Sequence, residues 1–499
     1  MYILDPLCHN KAKMQPPAPW KNVGGSGGKD VWVTIKKGQT IELDVVDVAF
    51  GGKGLARIEG MAVFVDGAVA GDRVLARIVK RKKQYAEARI LALQQPSVDR
   101  VDPPCPYSGV CGGCKWQHLA YPRQLVYKRR HVAETLTHVG GLPEIPVHAT
   151  MAADPIFGYR NKMEFSCADR RWRMPEELER EDVETGFALG LHVPGTFDKV
   201  LDIEACRLMP SSGNAILGRI RDEIRASGLP PYGLRSHRGF WRFVMLRHSL
   251  AEDRWLINLV TAEENRDAVQ PLADRLMADF DGIAGVVNNI TDRPAAIAVG
   301  QFERTLAGAP VLKDRIGPWE FEISANSFFQ TNSRGAARLY ETVARFAGLD
   351  GRQTVLDLYS GTGTIPIFLS PRARQIVGIE IVAAAVADAR RNCTRNQVTN
   401  CRFIEGDIRS VLADLEITPD VVIVDPPRAG MHADVVARLL ALAPPRIVYV
   451  SCNPATLSRD LGLMAEAYRV AEVQPVDMFP HTFHIEAVAR LERKTQIFP

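Results

Sequence analysis

A chain of 499 residues with 46% apolar and 24% charged residues has the make-up of an ordinary globular protein and room for more than one core. Its net charge of +4 implies no acidic partner by itself, and no apolar run approaches the ~18 residues that cross a bilayer, so no membrane association is expected. The start lacks a charged stretch followed by an apolar one, which argues against a signal peptide, and nine cysteines, an odd number, argue against a disulfide framework, so a cytoplasmic protein is expected.

Residues 1–37 are rich in Pro and Gly, with GGSGG at Gly24–Gly28, and read as a flexible tail. From residue 38 to 97, short strand-like runs are punctuated by Gly52, Gly54, Gly60, Gly67 and Gly71, the spacing of a small β-barrel of four or five strands. Charge is concentrated here. Gly71 to Gln95 hold seven Lys/Arg against two Asp/Glu, and Arg77, Lys80, Arg81, Lys82 and Lys83 lie close to Tyr85. Basic side chains beside an aromatic suit an RNA backbone and a stacked base; a solvated strand face is the plain alternative. GGKGLARIEG and VAGDRVLARI resemble a TRAM domain, a small RNA-binding barrel.

Residues 98–326 read as a middle α+β domain with an antiparallel sheet. It opens with VDPPCPYSGVCGGCKWQHL, in which five and then two residues separate Cys105, Cys111 and Cys114. Thiolates so close, on a loop that Gly112 and Gly113 let wrap tightly, point to a metal site that needs a fourth ligand. Cys206 is the favoured fourth, with Cys167 and His118 as alternatives; the spacing leaves zinc and iron–sulfur both open. Tyr121–Val139 reads as a helix with a basic face, and further helices are expected near Asn214–Ala226 and Arg266–Met277. The charged insert Pro175–Glu184 reads as a surface loop, and Arg160, Asn161 and Lys162 as weak candidates for touching phosphates.

Residues 327–499 alternate strand and helix patterns, which predicts a doubly wound, Rossmann-like parallel sheet. Gly361-Thr-Gly363 follows the first strand, but Pro366 replaces the third glycine of the dinucleotide fingerprint, which disfavours a pyrophosphate. Glu380, 17 residues after Gly363, is placed to hold ribose hydroxyls, and Asp407 to approach an adenine. A nucleoside without pyrophosphate fits S-adenosylmethionine. VVIVDPPRAG and RIVYVSCNPAT end two further strands on polar turns, presenting Asp425 and Cys452 at the carboxyl edge where such sheets bind ligands. A small buried hydrophobe is the bland reading of Cys452. A thiolate there has a use, however. Carbon 5 of uracil becomes nucleophilic only after a thiolate adds to carbon 6, and a base must later remove the carbon-5 proton. Glu486, at the start of an apolar run, is the candidate base; His481 and His484 are rivals.

SANSFFQTN, DLYSGTGT, GIE, DPPRAG, SCNP and FPHTFHIEAV, in this order, resemble the RNA 5-methyluridine methyltransferase family, and CxxxxxCGGC resembles the iron–sulfur site of its 23S ribosomal-RNA branch. The resemblance implies Cys452 as nucleophile and Glu486 as proton acceptor. It implies Gln330, Tyr359, Thr364, Glu380, Asp407 and Asp425 around S-adenosylmethionine; Thr364 stands where relatives of the tRNA branch carry Asn. It also implies a 4Fe–4S cluster on Cys105, Cys111, Cys114 and Cys206. Helix 121–139 would pack on the catalytic domain, making the middle domain discontinuous. The expected substrate is a flipped uridine of 23S ribosomal RNA, met by a monomer. The family's tRNA branch usually lacks both barrel and cluster, so tRNA is the runner-up. An iron–sulfur oxidoreductase would leave SCNP unexplained, and a silent RNA-binding protein would leave Cys452 and Glu486 without a role.

Overall fold

The computed structural model describes residues 35–295 and 297–495, so the tail lies outside the described residues up to residue 34. Thr40–Val48, Gly54–Ile58, Met61–Asp66, Arg73–Arg81 and Tyr85–Gln95 close into a five-stranded barrel. Alternate residues fill it, among them Leu43, Val45, Val63, Val65, Val74, Ala76 and Ile78, as a period of two requires. Gly54 is obligatory: a Cβ there would lie 2.8 Å from Ala68 Cβ and 2.9 Å from Val45 Cγ1. Part of the basic run is neutralised on the barrel itself, because Lys53 and Lys80 both pair with Glu87 at 2.6 Å. Tyr85 packs edge-on against Phe64 and is only partly available for a base.

The middle segment forms an eight-stranded sheet, mostly antiparallel. Helices Ser211–Ala226 and Arg266–Asp279 cover one face, over Phe165, Val244, Leu246, Ile257 and Leu259. Hairpin Val311–Ile316/Trp319–Ser324 falls before residue 327, yet it buries Ile316, Phe321 and Ile323 in the core of the C-terminal unit.

That unit is built on seven strands: β1 (Thr354–Leu358), β2 (Gln375–Glu380), β3 (Cys401–Glu405), β4 (Val421–Val424), β5 (Arg446–Ser451), β6 (Tyr468–Val476) and β7 (Glu486–Arg493). Their order is β3-β2-β1-β4-β5-β7-β6. The first five are parallel, as the alternating pattern predicts. The terminal pair is an antiparallel addition that the pattern does not reveal.

Helix Tyr121–His138 ties the units together. On one side His131 Nε2 lies 2.8 Å from the Val48 carbonyl and Arg130 pairs with Asp47, both in the barrel. On the other, Lys128 Nζ lies 2.6 Å from Asp477 Oδ1, just after β6, with both side chains wholly buried. Tyr121 also donates to Asp477, at 3.0 Å. Removing one member of a buried pair strands the other. Lys128→Met therefore costs about 3–5 kcal/mol in urea unfolding, and the double change Lys128→Met/Asp477→Leu recovers most of it. Among the described residues no helix is long and apolar enough to cross a membrane.

Candidate active site

Strand register sets the candidate residues in a row. Leu358 of β1 pairs with Ile379 of β2 on one side and Val424 of β4 on the other, and Val424 pairs with Tyr449 of β5. The next residues along each strand, Tyr359, Glu380 and Asp425, therefore lie side by side at the carboxyl edge, with the turn at Cys452 beyond them. The edge is locally strained, since Tyr359 has φ of +68°, unusual for an aromatic. Gly363 follows at φ +79°, where a Cβ would sit 2.9 Å from Phe403 and 3.0 Å from Ala389. Glu380 holds the turn, accepting the Gly361 N–H at 3.0 Å and the Val382 N–H at 2.9 Å. Beside it Ile381 is 65% exposed, an apolar surface at the mouth that the sequence reading passed over.

The antiparallel addition brings in Glu486. Ser451 of β5 pairs with Ala487 of β7 as the last pair of that ladder, so Cys452, which follows Ser451, and Glu486, which precedes Ala487, stand at the same end of the two strands. Glu486 is buried. Burial raises its carboxyl well above the usual range, Asp425 adds to the shift, and only the Arg428 guanidinium opposes it. Desolvation pushes Asp425 up to about 7. Asp357, which the sequence reading did not single out, sits within β1 with both oxygens buried and no hydrogen-bond partner among the described residues. Burial, then Asp425 and Glu380, hold it strongly toward the neutral acid. Such a group of acids is a site whose electrostatics a bound cation would relieve.

Three loops are clasped around these groups. Arg428 Nη2 donates to His484 Nδ1 at 2.8 Å, while the Arg428 carbonyl accepts from Asn453 Nδ2 at 3.1 Å and Thr456 Oγ1 at 3.2 Å. The rival histidines are weak bases, although His481 Nε2 has no hydrogen-bond partner among the described residues. Burial pushes both down to about 4, so they are neutral near pH 7. His481 is stacked on Phe157 at 4.1 Å, and His484 is spent on Arg428.

Of the remaining candidates, Thr364 and Gln330 are joined through Tyr340, another residue missed from sequence. Its hydroxyl lies 2.9 Å from Thr364 Oγ1 and also hydrogen-bonds Gln330. Asp407 stands apart. It caps the short helix Ile408–Val411 and pairs with Arg409 at 2.6 Å, which holds it down at about 2.

Cys105, Cys111, Cys114 and Cys206 line one cavity of about 310 Å³, which Phe479, Thr482 and His484 of the catalytic loop also line. All four are free thiols. Burial raises Cys111 to about 11 and Cys114 to about 12, with the neighbouring thiols adding to each. Among the described residues no three His, Cys, Asp or Glu approach closely enough for a single metal ion. Cys167 is buried in the sheet core, and His118 is kept neutral beside the Arg100–Asp72 pair; neither lines the cavity.

Residues 312–494 match the family model described as tRNA (Uracil-5-)-methyltransferase, and residues 35–91 match the TRAM domain. A Chlorobaculum tepidum protein described as an RNA methyltransferase is 42% identical, covering 92% of this chain and 98% of its own length. A similarly described protein of Nitratidesulfovibrio vulgaris is 38% identical, covering 92% and 97%. Among solved structures, a Pyrococcus abyssi tRNA (uracil-54, C5)-methyltransferase in complex with S-adenosyl-L-homocysteine superposes with a TM-score of 0.72 at 29% identity, covering 90% of this chain and all of that one.

Proposed function

Since the chain belongs to the RNA uracil-5-methyltransferase family and is an S-adenosylmethionine-dependent RNA methyltransferase with a TRAM domain, we propose that it methylates carbon 5 of one flipped uridine in 23S ribosomal RNA, with Cys452 as nucleophile and Glu486 as base. The observation that supports the assignment is that Cys452 and Glu486 each adjoin the last pair of the β5–β7 ladder, Ser451 with Ala487.

The Cys452 thiolate bonds to carbon 6, and its electron pair passes through the ring to make carbon 5 nucleophilic. S-adenosylmethionine supplies the methyl from an electrophilic sulfonium. Glu486 then takes the carbon-5 proton, the carbon-6–sulfur bond breaks, the ring double bond returns and the thiolate is regenerated. Gln330, Tyr359, Thr364, Glu380 and Asp425 surround the cofactor. For Asp407 that role requires a contact made in spite of the Arg409 pair. Asp357, unpartnered at the same edge, is added to this set. Wild-type protein forms a denaturant-stable adduct with RNA carrying 5-fluorouridine, since fluorine at carbon 5 blocks the last proton transfer. An RNA that binds but is never trapped would remove the mechanism.

The carboxyls give the cofactor a pH signature. Asp425 is raised to about 7, and burial holds Glu486 well above the usual carboxylate range, so both keep protons at a higher pH than an exposed carboxyl does. A sulfonium favours their ionised forms, so binding expels protons and tightens as pH rises through about 7. The change is up to about tenfold per pH unit for each proton released. Calorimetry at pH 6 and pH 8 shows this for S-adenosylmethionine, and much less for the demethylated thioether, which is uncharged at sulfur.

The four cysteines are proposed to hold a 4Fe–4S cluster of structural rather than redox use, since the chemistry above needs no electron. Purified anaerobically, the protein is brown, and Cys111→Ser loses iron, sulfide and colour together; a colourless protein with stoichiometric zinc overturns the assignment.

A tRNA substrate is the second reading, and one observation favours it. The Pyrococcus abyssi tRNA enzyme matches 90% of this chain, which leaves too few residues outside the match for the barrel to be missing from it. The barrel therefore does not separate the two substrates, contrary to the expectation from sequence. Incubation with protein-free 23S RNA and with bulk tRNA, followed by mapping of 5-methyluridine, decides between them.

A further inference from the structure

Where the middle sheet meets the catalytic loops, cations outnumber acids. Strand Lys162–Ala168 sets Lys162 opposite Arg247 of strand Trp241–Ser249. Arg247 is buried and spends its guanidinium on the carbonyls of Ala325 and Ser327. Arg160, two residues before Lys162, donates its Nε–H to the Lys162 carbonyl at 3.0 Å and lies on the rim that the four-cysteine cavity shares with Phe479, Thr482 and His484. Glu164 is the one acid ion-paired to this group among the described residues, 3.8 Å from Lys162 Nζ. The Lys162 side chain keeps 28% of its surface, enough to reach an incoming ligand. Burial, then Arg247, push Lys162 down to about 8, with Arg160 adding to the shift, so the cluster is costly as it stands.

The residue between Arg160 and Lys162 is fixed to the cofactor side. Asn161 donates from its side chain to the Gln330 carbonyl at 3.0 Å and to Ser333 Oγ at 2.8 Å, while its N–H reaches the Thr331 carbonyl at 2.9 Å. Arg160 and Lys162 are thus held in register with the turn that carries Gln330. Their side chains are unused by the chemistry above, and an anion would relieve them. The anion that an RNA substrate brings to this place is a backbone phosphate.

We propose that Arg160 and Lys162 form a seat for the RNA phosphates flanking the flipped uridine, held in register with the cofactor turn by Asn161. The seat rests on the uridine-methylating reading above. It positions the strand and takes no part in bond making.

Its test is the salt dependence of RNA binding by Arg160→Gln, Lys162→Gln and the double variant, using a uridine stem-loop that wild-type protein methylates. Each cation removed lowers the slope of log affinity against log salt by about 0.7, the single-strand value, and the double variant by about 1.4. KM for RNA rises several-fold while kcat at saturation stays within threefold, and Arg160→Lys restores much of the slope. A neutral methylphosphonate beside the target uridine weakens wild-type binding but not that of the double variant. Slopes equal to wild type, or equal sensitivity of both proteins to the methylphosphonate, overturn the seat. Loss of S-adenosylmethionine affinity in either variant also overturns it, assigning the cations to the cofactor carboxylate instead. Trapping of wild-type protein on 5-fluorouridine RNA is scored separately: absence of the adduct rejects the uridine chemistry, whereas an adduct with unchanged slopes rejects only the seat.

Discussion

Cys452→Ala lowers methyl transfer to uridine RNA by at least roughly 10⁴-fold, with little change in cofactor affinity or in melting temperature. The size follows from the chemistry: without sulfur at carbon 6, carbon 5 stays too electron-poor to accept a methyl cation equivalent, and no neighbouring group substitutes. The thiol is half-buried at a strand end, so trimming it leaves no large cavity. The check is incorporation of labelled methyl into RNA, alongside the loss of 5-fluorouridine trapping. A variant that turns over within tenfold of wild type removes Cys452 from the reaction.

Glu486→Gln behaves differently. The amide keeps the shape of the carboxyl but accepts no proton, so addition and methyl transfer proceed while release fails. Turnover falls roughly 10²–10⁴-fold, and a methylated protein–RNA adduct accumulates on ordinary uridine RNA, visible as a labelled band that survives denaturation. Neither histidine replaces it, because burial makes both weak bases and His484 Nδ1 already accepts from Arg428. If His484→Gln accumulates the adduct and Glu486→Gln does not, the base is the histidine. The fold tolerates the Gln substitution, as it removes an ionisable group that burial disfavours.

How much of this was legible before the structure depends on distance along the chain. β1, β2, β4 and β5 read clearly because buried parallel strands are nearly continuous apolar runs, and their polar ends announce Glu380, Asp425 and Cys452. β6 reads poorly: YRVAEVQPV carries Glu472 and Pro475, which speak against a strand, and both are tolerated because β6 is the sheet edge. With β6 hidden, the antiparallel register that brings Glu486 to Cys452 could not be derived, so the base was inferred from chemistry alone. Asp357 was hidden by the same apolar run that revealed its strand. Tyr340 was hidden by helical spacing, which marks it only as core. The cysteine spacing marked out one loop, but the cavity its thiols share with Cys206 and the catalytic loop is a product of tertiary packing. The boundary at residue 327 missed the hairpin Val311–Ser324, since its alternation says that one face is buried and not against which partner.

The Lys128–Asp477 contact joins positions 349 residues apart, and that separation sets a schedule during synthesis. At about 5–20 residues per second, the ribosome needs roughly 20–70 s to deliver the aspartate after the lysine has emerged. Through that interval the ammonium has no burial to accept, and its helix waits at the surface with an unfilled apolar stripe. The nascent chain therefore completes its barrel early and its catalytic core last, in a single late closure that a stop codon placed shortly before residue 477 would prevent.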